Sequence, residues 1–122
     1  MPAVDRIPDG FVGKVRDITG PGITDRFGVS CTDLGASVRA SDGNLVSVFG
    51  DTFSGSRVGV GDWRSPVILI GTGDATHPIV YRRAGGTDAR YARQLWHYRH
   101  RNSRGLLRHG ISTVIPSDLL RV

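Results

Sequence analysis

The fold class is decided by residues 29–52, which read VSCTDLGASVRASDGNLVSVFGDT. Two β-compatible stretches, 29–39 and 45–52, flank the tetrapeptide Ser41-Asp42-Gly43-Asn44. An Asp-Gly pair between two such stretches is a strong hairpin signal, because both residues accept the backbone conformations of a tight turn. The sequence therefore predicts an antiparallel hairpin, with a bulge or bend where Gly35 interrupts its first strand.

Outside the hairpin, short β-compatible stretches alternate with glycine-rich loops. Residues 63–70 form one such stretch, in which Pro66 indicates an edge strand or a strand start because proline has no N–H to donate. A strand over residues 94–98 competes with a helical interpretation of the same aromatic spacing, and we favour the strand. The other predicted β-like stretches are 79–83, 111–115 and 119–122. Residues 1–28, by contrast, are predicted to be an irregular lead-in.

The composition supports an all-β chain. Of the 16 basic residues 15 are arginine, all 11 acidic residues are aspartate, and there are 17 glycines and 6 prolines among 122 residues. Lysine and glutamate favour exposed helix faces, whereas glycine and proline interrupt helices, so this composition excludes a helical bundle. With 39% apolar and 22% charged residues, the chain is also unlike a disordered tail.

Several classes of protein are excluded by what the sequence lacks. A single cysteine, Cys31, cannot form an internal disulfide framework. His97, His100 and His109 have no acidic or cysteine partners at metal-ligand spacing, so we predict no metal and no other cofactor. No apolar run approaches the roughly 18–20 residues that span a bilayer. The first ten residues lack the apolar region of a signal peptide, which leaves the localisation open.

Two aspartates stand out because aspartate is disfavoured inside strands. Asp33 and Asp51 lie eight to nine residues on either side of the predicted turn, at the open end of the hairpin. If Ala40 pairs with Leu45, Asp33 lies opposite Thr52 and the two carboxylates occupy different faces. A one-residue bulge would instead place both carboxylates on one face, with Cα atoms roughly 7–8 Å apart, a separation that suits a glycosidase pair. Both registers remain open at this stage.

These aspartates also have a structural interpretation. Aspartate at a strand end commonly caps a turn or pairs with an arginine, and Asp118 is more simply explained by such a role. Trp63 could form a platform for a sugar ring or belong to the core. Residues 88–109, with six arginines and three of the four histidines, could follow a nucleic-acid backbone, which a net charge of +5 and a pI near 10.3 would permit. More often such a segment is a solvated face.

Four short motifs together resemble a known family. They are Gly28-Val29-Ser30-Cys31-Thr32-Asp33-Leu34-Gly35, Val48-Phe49-Gly50-Asp51-Thr52-Phe53 after the Asp-Gly turn, Trp63-Arg64-Ser65-Pro66-Val67, and Ile115-Pro116-Ser117-Asp118. In this order and spacing they are similar to the actinobacterial proteins of the 4185 domain of unknown function, placed in glycoside hydrolase family 183, the endo-D-arabinanases. The resemblance runs from about Gly20 to the last residue.

The resemblance implies a five-bladed β-propeller that hydrolyses the D-arabinan of the actinobacterial cell wall. It implies that Asp33 and Asp51 are the essential carboxylates of the first blade, and that Asp118 opens the second blade and helps to position substrate. With Asp118 we place Trp63 and His100 among the predicted substrate-binding residues. Water is the co-substrate, no cofactor is implied, and the family is expected at the cell wall or outside the cell.

The length predicts an incomplete propeller. A propeller blade is a four-stranded sheet, and 122 residues correspond to roughly the first two blades of five. We therefore expect residues 1–122 to form a single, incomplete catalytic domain whose strands begin near residue 29. Two alternatives stay open: a non-enzymatic module that binds cell-wall polysaccharide or nucleic acid through residues 88–109, or an inactive truncated product.

Overall fold

The computed structural model of the chain describes Gly10, residues 12–100 and residues 113–122. One 3-10 helix, Asp25–Phe27, precedes the strands and ends at Gly28, which has a left-handed φ of 73°. The seven strands are β1 Cys31–Thr32, β2 Ala36–Arg39, β3 Leu45–Phe49, β4 Thr52–Phe53, β5 Trp63–Arg64, β6 Val67–Thr72 and β7 Val80–Ala84. Within the described residues, this confirms an all-β chain with an irregular lead-in.

The strands form two antiparallel sheets in which the same chain segments continue from one sheet into the other. The larger sheet has the order β2-β3-β6-β7 and the smaller one β1-β4-β5. The pair Thr32–Thr52 continues the register of Ala36–Val48, and Thr52–Arg64 continues the register of Phe49–Val67. The two sheets are therefore the two ends of one four-pass antiparallel meander, interrupted where pairing stops at residues 33–35, 50–51 and 65–66.

The predicted hairpin is confirmed. Arg39 pairs with Leu45, and the backbone N–H of Ala40 donates to the carbonyl of Asn44 over 2.8 Å. The carboxylate of Asp42 accepts the backbone and side-chain N–H groups of Asn44, and Gly43 adopts the positive φ that the tight turn requires. Of the two registers left open, the one with Ala40 opposite Leu45 is wrong: the backbone bonds from Ala40 to Asn44 and from Gly43 to Ala40 close a turn that is one residue shorter.

The core lies on one face of the inner strands β3 and β6. Phe49, Val67, Leu69 and Tyr81 are buried together with Phe27, Val29, Ala84 and Ala92. The rings of Phe49 and Tyr81 meet edge to face, with centroids 5.9 Å apart. In β6 buried residues alternate with more exposed ones, as expected for a sheet with one buried face, whereas in β3 Val48 is buried beside Phe49. Pro66 directly precedes the inner strand β6, so it marks a strand start and not an edge strand.

A buried arginine fastens the lead-in to the second half of the chain. Arg64, only 4% exposed, donates to the carbonyls of Gly28 and Ala92 and lies 3.3 Å from the carboxylate of Asp62. Its guanidinium also lies over the ring of Tyr91, 4.6 Å from the centroid. Several segments without regular secondary structure are thereby held against β5.

The strand predicted at residues 94–98 is wrong. The side chain of Gln94 accepts the N–H of Ser65 and donates to the carbonyls of Trp96 and Tyr98, each over 3.1 Å. These bonds satisfy main-chain groups that a sheet would otherwise pair, so the segment is irregular. Residues 113–115 and 119–122 also form no strand. Residues 111–112, and Arg101, Arg104, Arg108 and His109 of the basic segment, lie outside the described residues.

Candidate active site

The two aspartates singled out in the sequence meet where strand pairing is interrupted. Asp33 directly follows β1 and Asp51 directly precedes β4, so both come next to the pair Thr32–Thr52. The backbone N–H of Gly50 donates to the carbonyl of Asp33 over 2.9 Å, and the carboxylate of Asp33 accepts the backbone N–H of Asp51. The break in the sheet therefore brings the two carboxylates to one place.

Glycine at position 50 allows this close approach. A Cβ added to Gly50 would lie 3.0 Å from Oδ1 of Asp33 and 3.3 Å from Cδ1 of Ile115. Any larger residue would crowd both groups, which would have to shift by a few tenths of an ångström. The Gly-Asp sequence that ends the hairpin thus serves to seat the neighbouring carboxylate.

Both aspartates line one open pocket of about 260 Å³, which we call the Asp-pair pocket. Its walls combine carboxylates with apolar and aromatic surface, a mixture that suits a sugar ring with its polar edge and apolar faces. Within the described residues, the pocket is lined by Cys31, Thr32, Asp33, Asp51, Phe53, Val58 and Trp63.

Asp51 is held in place by two side-chain donors. Its Oδ1 accepts the indole N–H of Trp63 over 2.8 Å and the hydroxyl of Thr113 over 2.6 Å. Both of these bonds end on Oδ1, so, as far as the described residues extend, Oδ2 is the oxygen that a ligand would meet. The orientation of Asp51 therefore depends on a strand residue and on a residue 62 positions further along the chain.

Asp33 has a perturbed acidity. Partial desolvation at the pocket wall, and then the negative charge of Asp51, raise the pKa of Asp33 above its ordinary value of 3.8, while the backbone N–H of Asp51 acts in the opposite direction. The residue as a whole is exposed, so the carboxyl remains accessible to a ligand. Two neighbouring carboxyl groups in different surroundings are a common arrangement for acid–base chemistry.

Trp63 and His100 form part of an aromatic stack beside the carboxylates. The ring of His100 lies 3.9 Å from that of Trp63 with 21° between the planes, and Phe53 stacks on Trp63 at 6.0 Å. Nε2 of His100 lies 2.7 Å from Oε1 of Gln94. Trp63 therefore lines the pocket and donates to Asp51, while His100 and Phe53 stack on its ring.

The remaining predicted residues are placed differently. Asp118 accepts the N–H of its neighbour Leu119 over 2.7 Å, opens no strand, and is not among the residues that line the Asp-pair pocket. In the basic segment, Arg93 lies 3.3 Å from Asp88 and over the ring of Tyr91. Among the residues that the structure describes, no cluster of histidine, cysteine, aspartate or glutamate could hold a metal ion.

Sequence reasoning missed Thr113 and the contacts that seat it. The hydroxyl of Tyr98 donates to the carbonyl of Ser65 and accepts the N–H of Val114, and the hydroxyl of Ser65 donates to the carbonyl of Val114. These bonds position the residues next to Thr113 against the start of β6. No motif around Thr113 indicates this role, because its partner is distant in the sequence.

Comparison with known proteins adds one match. The family described as "Domain of unknown function (DUF4185)" matches residues 19–122. The matched region includes all seven strands, the Asp-pair pocket and Thr113. No curated protein matches the sequence significantly. Across the described residues, no helix has the length and apolar character needed to cross a membrane.

Proposed function

Since the chain belongs to the DUF4185 family, as its motifs predicted, we propose that it takes part in glycoside hydrolysis through Asp33 and Asp51. The proposed substrate is a D-arabinan of the actinobacterial cell wall, and the bond cleaved is arabinofuranosidic. Membership of glycoside hydrolase family 183, and action at the cell wall or outside the cell, are parts of the same proposal.

The observation that carries the proposal is the pairing of two carboxylates in one open pocket. Glycosidases of both stereochemical classes use such a pair, one as acid and one as base or nucleophile. Here the two groups differ, since Asp33 has a raised pKa and Asp51 is oriented by Trp63 and Thr113. A difference of this kind assigns separate roles to two residues of the same type.

In the proposed reaction Asp33 is the general acid. Its proton passes to the glycosidic oxygen as the bond from that oxygen to the anomeric carbon breaks. Asp51 acts on the opposite side of that carbon, either as the nucleophile or by taking a proton from the attacking water. Water contributes its oxygen and one proton to the new hydroxyl of the sugar, and its other proton is taken up by the pair, which returns Asp33 to its acid form.

We further propose that the four-pass meander is a blade of a five-bladed β-propeller. An antiparallel four-stranded unit is the repeating element of that fold, and the interrupted rows of the meander are where the carboxylates lie. In this proposal the catalytic pair lies within one blade, and Asp118 belongs to the next one.

The proposal is tested by incubating the protein with D-arabinan and measuring newly formed reducing ends. We expect release by the unsubstituted protein and a loss of roughly 100- to 10,000-fold in Asp33→Asn and in Asp51→Asn. The matched control is Asp17→Asn, because Asp17 is an exposed aspartate that forms an ion pair with nearby Lys14 at 2.7 Å and is not among the residues that line the Asp-pair pocket. Arabinan binding without hydrolysis would favour the binding-module alternative.

Binding to nucleic acid is the other outcome to distinguish. Such binding would weaken steeply with salt and would survive both aspartate substitutions, since it would rest on arginines of residues 88–109. A sugar-binding site would be far less sensitive to salt.

A further inference from the structure

Asp33 forms a wall between two pockets. The second pocket, of about 320 Å³, shares Thr32 and Asp33 with the Asp-pair pocket and is otherwise lined by different residues. We call it the Leu34 pocket. Its described lining residues are Ile18, Thr19, Thr32, Asp33, Leu34, Gly35, Ser37, Phe49 and Tyr81. A ligand longer than one sugar unit could therefore occupy both pockets while passing over the Asp33 carboxyl.

A chain of hydroxyl groups runs from the core to Ser37 at the wall of the Leu34 pocket. The buried hydroxyl of Tyr81 donates to Ser47 over 2.8 Å, and the Ser47 hydroxyl lies 2.6 Å from that of exposed Ser37. Burial raises the pKa of Tyr81, so its hydroxyl stays protonated and keeps this chain oriented. Hydroxyls beside the apolar surface of Ile18 and Phe49 match the polar edges and apolar faces of a sugar ring.

Leu34 is held in an unfavourable state on the same wall. It is the only described residue other than glycine with a positive φ, at 45°, and the residue is 61% exposed. A left-handed backbone conformation is unfavourable for leucine. Because the residue is exposed, burial of apolar surface does not offset that cost. Strain of this kind concentrates at ligand sites, and here it occurs directly beside Asp33.

We propose that the Leu34 pocket is a second sugar-binding subsite, adjoining the one at Asp33 and Asp51. Leu34 provides its apolar contact and Ser37 its polar contact. A linear glycan then occupies both pockets, and the bond between the two sugar units lies at Asp33. This assignment rests on the proposed function for the identity of the ligand, and it makes Leu34 and Ser37 specificity-determining residues.

The test compares affinity with ligand length. Dissociation constants are measured by calorimetry for arabinofuranose and its oligosaccharides, with Asp51→Asn as the parent so that no ligand is cleaved. We expect the parent to bind the oligosaccharides at least about tenfold more tightly than the monosaccharide, the equivalent of one well-placed apolar side chain. Leu34→Gly and Ser37→Ala, each added to that parent, should lose most of this gain and keep the affinity for the monosaccharide.

The Tm of the Leu34 variant distinguishes a ligand-binding role of Leu34 from a purely structural one. Leu34→Gly relieves the left-handed strain, so we expect a Tm equal to or above that of the parent together with weaker oligosaccharide binding. The matched control is Leu120→Gly, at a leucine that is 81% exposed and lines neither pocket. The control should bind every ligand like the parent.

The outcomes separate this inference from the proposed function. A parent with no gain in affinity for longer ligands, or variants that keep the whole gain, would overturn the second subsite even if arabinan is hydrolysed. Length-dependent binding that both variants lose would support the subsite, whether or not the protein hydrolyses arabinan. Failure of the unsubstituted protein to release reducing ends would overturn only the proposed hydrolase activity.

Discussion

The hydroxyl of Thr113, which is distant from Asp51 in the sequence, helps to orient the Asp51 carboxylate. Its role can be tested by removing that hydroxyl alone. We predict that Thr113→Val, which keeps the shape and removes the hydroxyl, lowers the hydrolysis rate about tenfold, the usual value of a hydrogen bond to a charged group. Thr113→Ser retains the donor and should hydrolyse at nearly the native rate. Equal rates for the two variants would show that the bond to Asp51 is irrelevant to catalysis.

Asp33 carries a cost in stability that follows from its raised pKa. The folded protein binds the Asp33 proton more tightly than the unfolded chain does, so this contribution to stability is present below about pH 3.8 and is lost as the pH rises through the folded-state value. We therefore predict that the Tm of Asp33→Asn, relative to the native protein, increases between pH 3 and pH 6. Thermal melts across that range measure it, and a relative Tm that falls with pH would contradict the raised pKa.

Among the elements, β5 depends on the buried guanidinium of Arg64. Replacing Arg64 with alanine leaves the carbonyls of Gly28 and Ala92 without this donor, and we predict a loss of about 3 kcal/mol in the free energy of unfolding. The matched control is Arg82→Ala on β7, an exposed arginine for which a change within about 0.5 kcal/mol is expected. Denaturant melts of both variants check this, and similar values for the two would refute the fastening role.

The elements also show where sequence reasoning succeeds. The hairpin of β2 and β3 was predictable because its signal, an Asp-Gly turn between β-compatible stretches, is entirely local. The register was not, because it depends on how the side chain of Asp42 closes the turn. The strand predicted over residues 94–98 is wrong because the side chain of Gln94 bonds to main-chain carbonyls of its neighbours. Strand propensity takes no account of such side-chain bonds.

At the scale of the whole molecule, the site is assembled by long-range contacts. The motifs around Asp33 and Asp51 identified both carboxylates and the family, and the Trp63 motif supplied the adjoining donor. The bond from Thr113 to Asp51 and the stacking of His100 on Trp63 could not be predicted from the sequence, because each joins segments separated by tens of residues. The interruption of strand pairing that forms the pocket could not be predicted either, because it depends on how three chain segments pair with one another.

The central claim is that Asp33 and Asp51 act as one catalytic pair, and a double-mutant cycle on arabinan hydrolysis tests it most directly. Rates are measured for the native protein, Asp33→Asn, Asp51→Asn and the double variant under one set of conditions. Residues that act as a unit have strongly non-additive effects, so the double variant should be about as slow as the slower single variant. Losses that multiply, or a single variant with the native rate, would contradict the account.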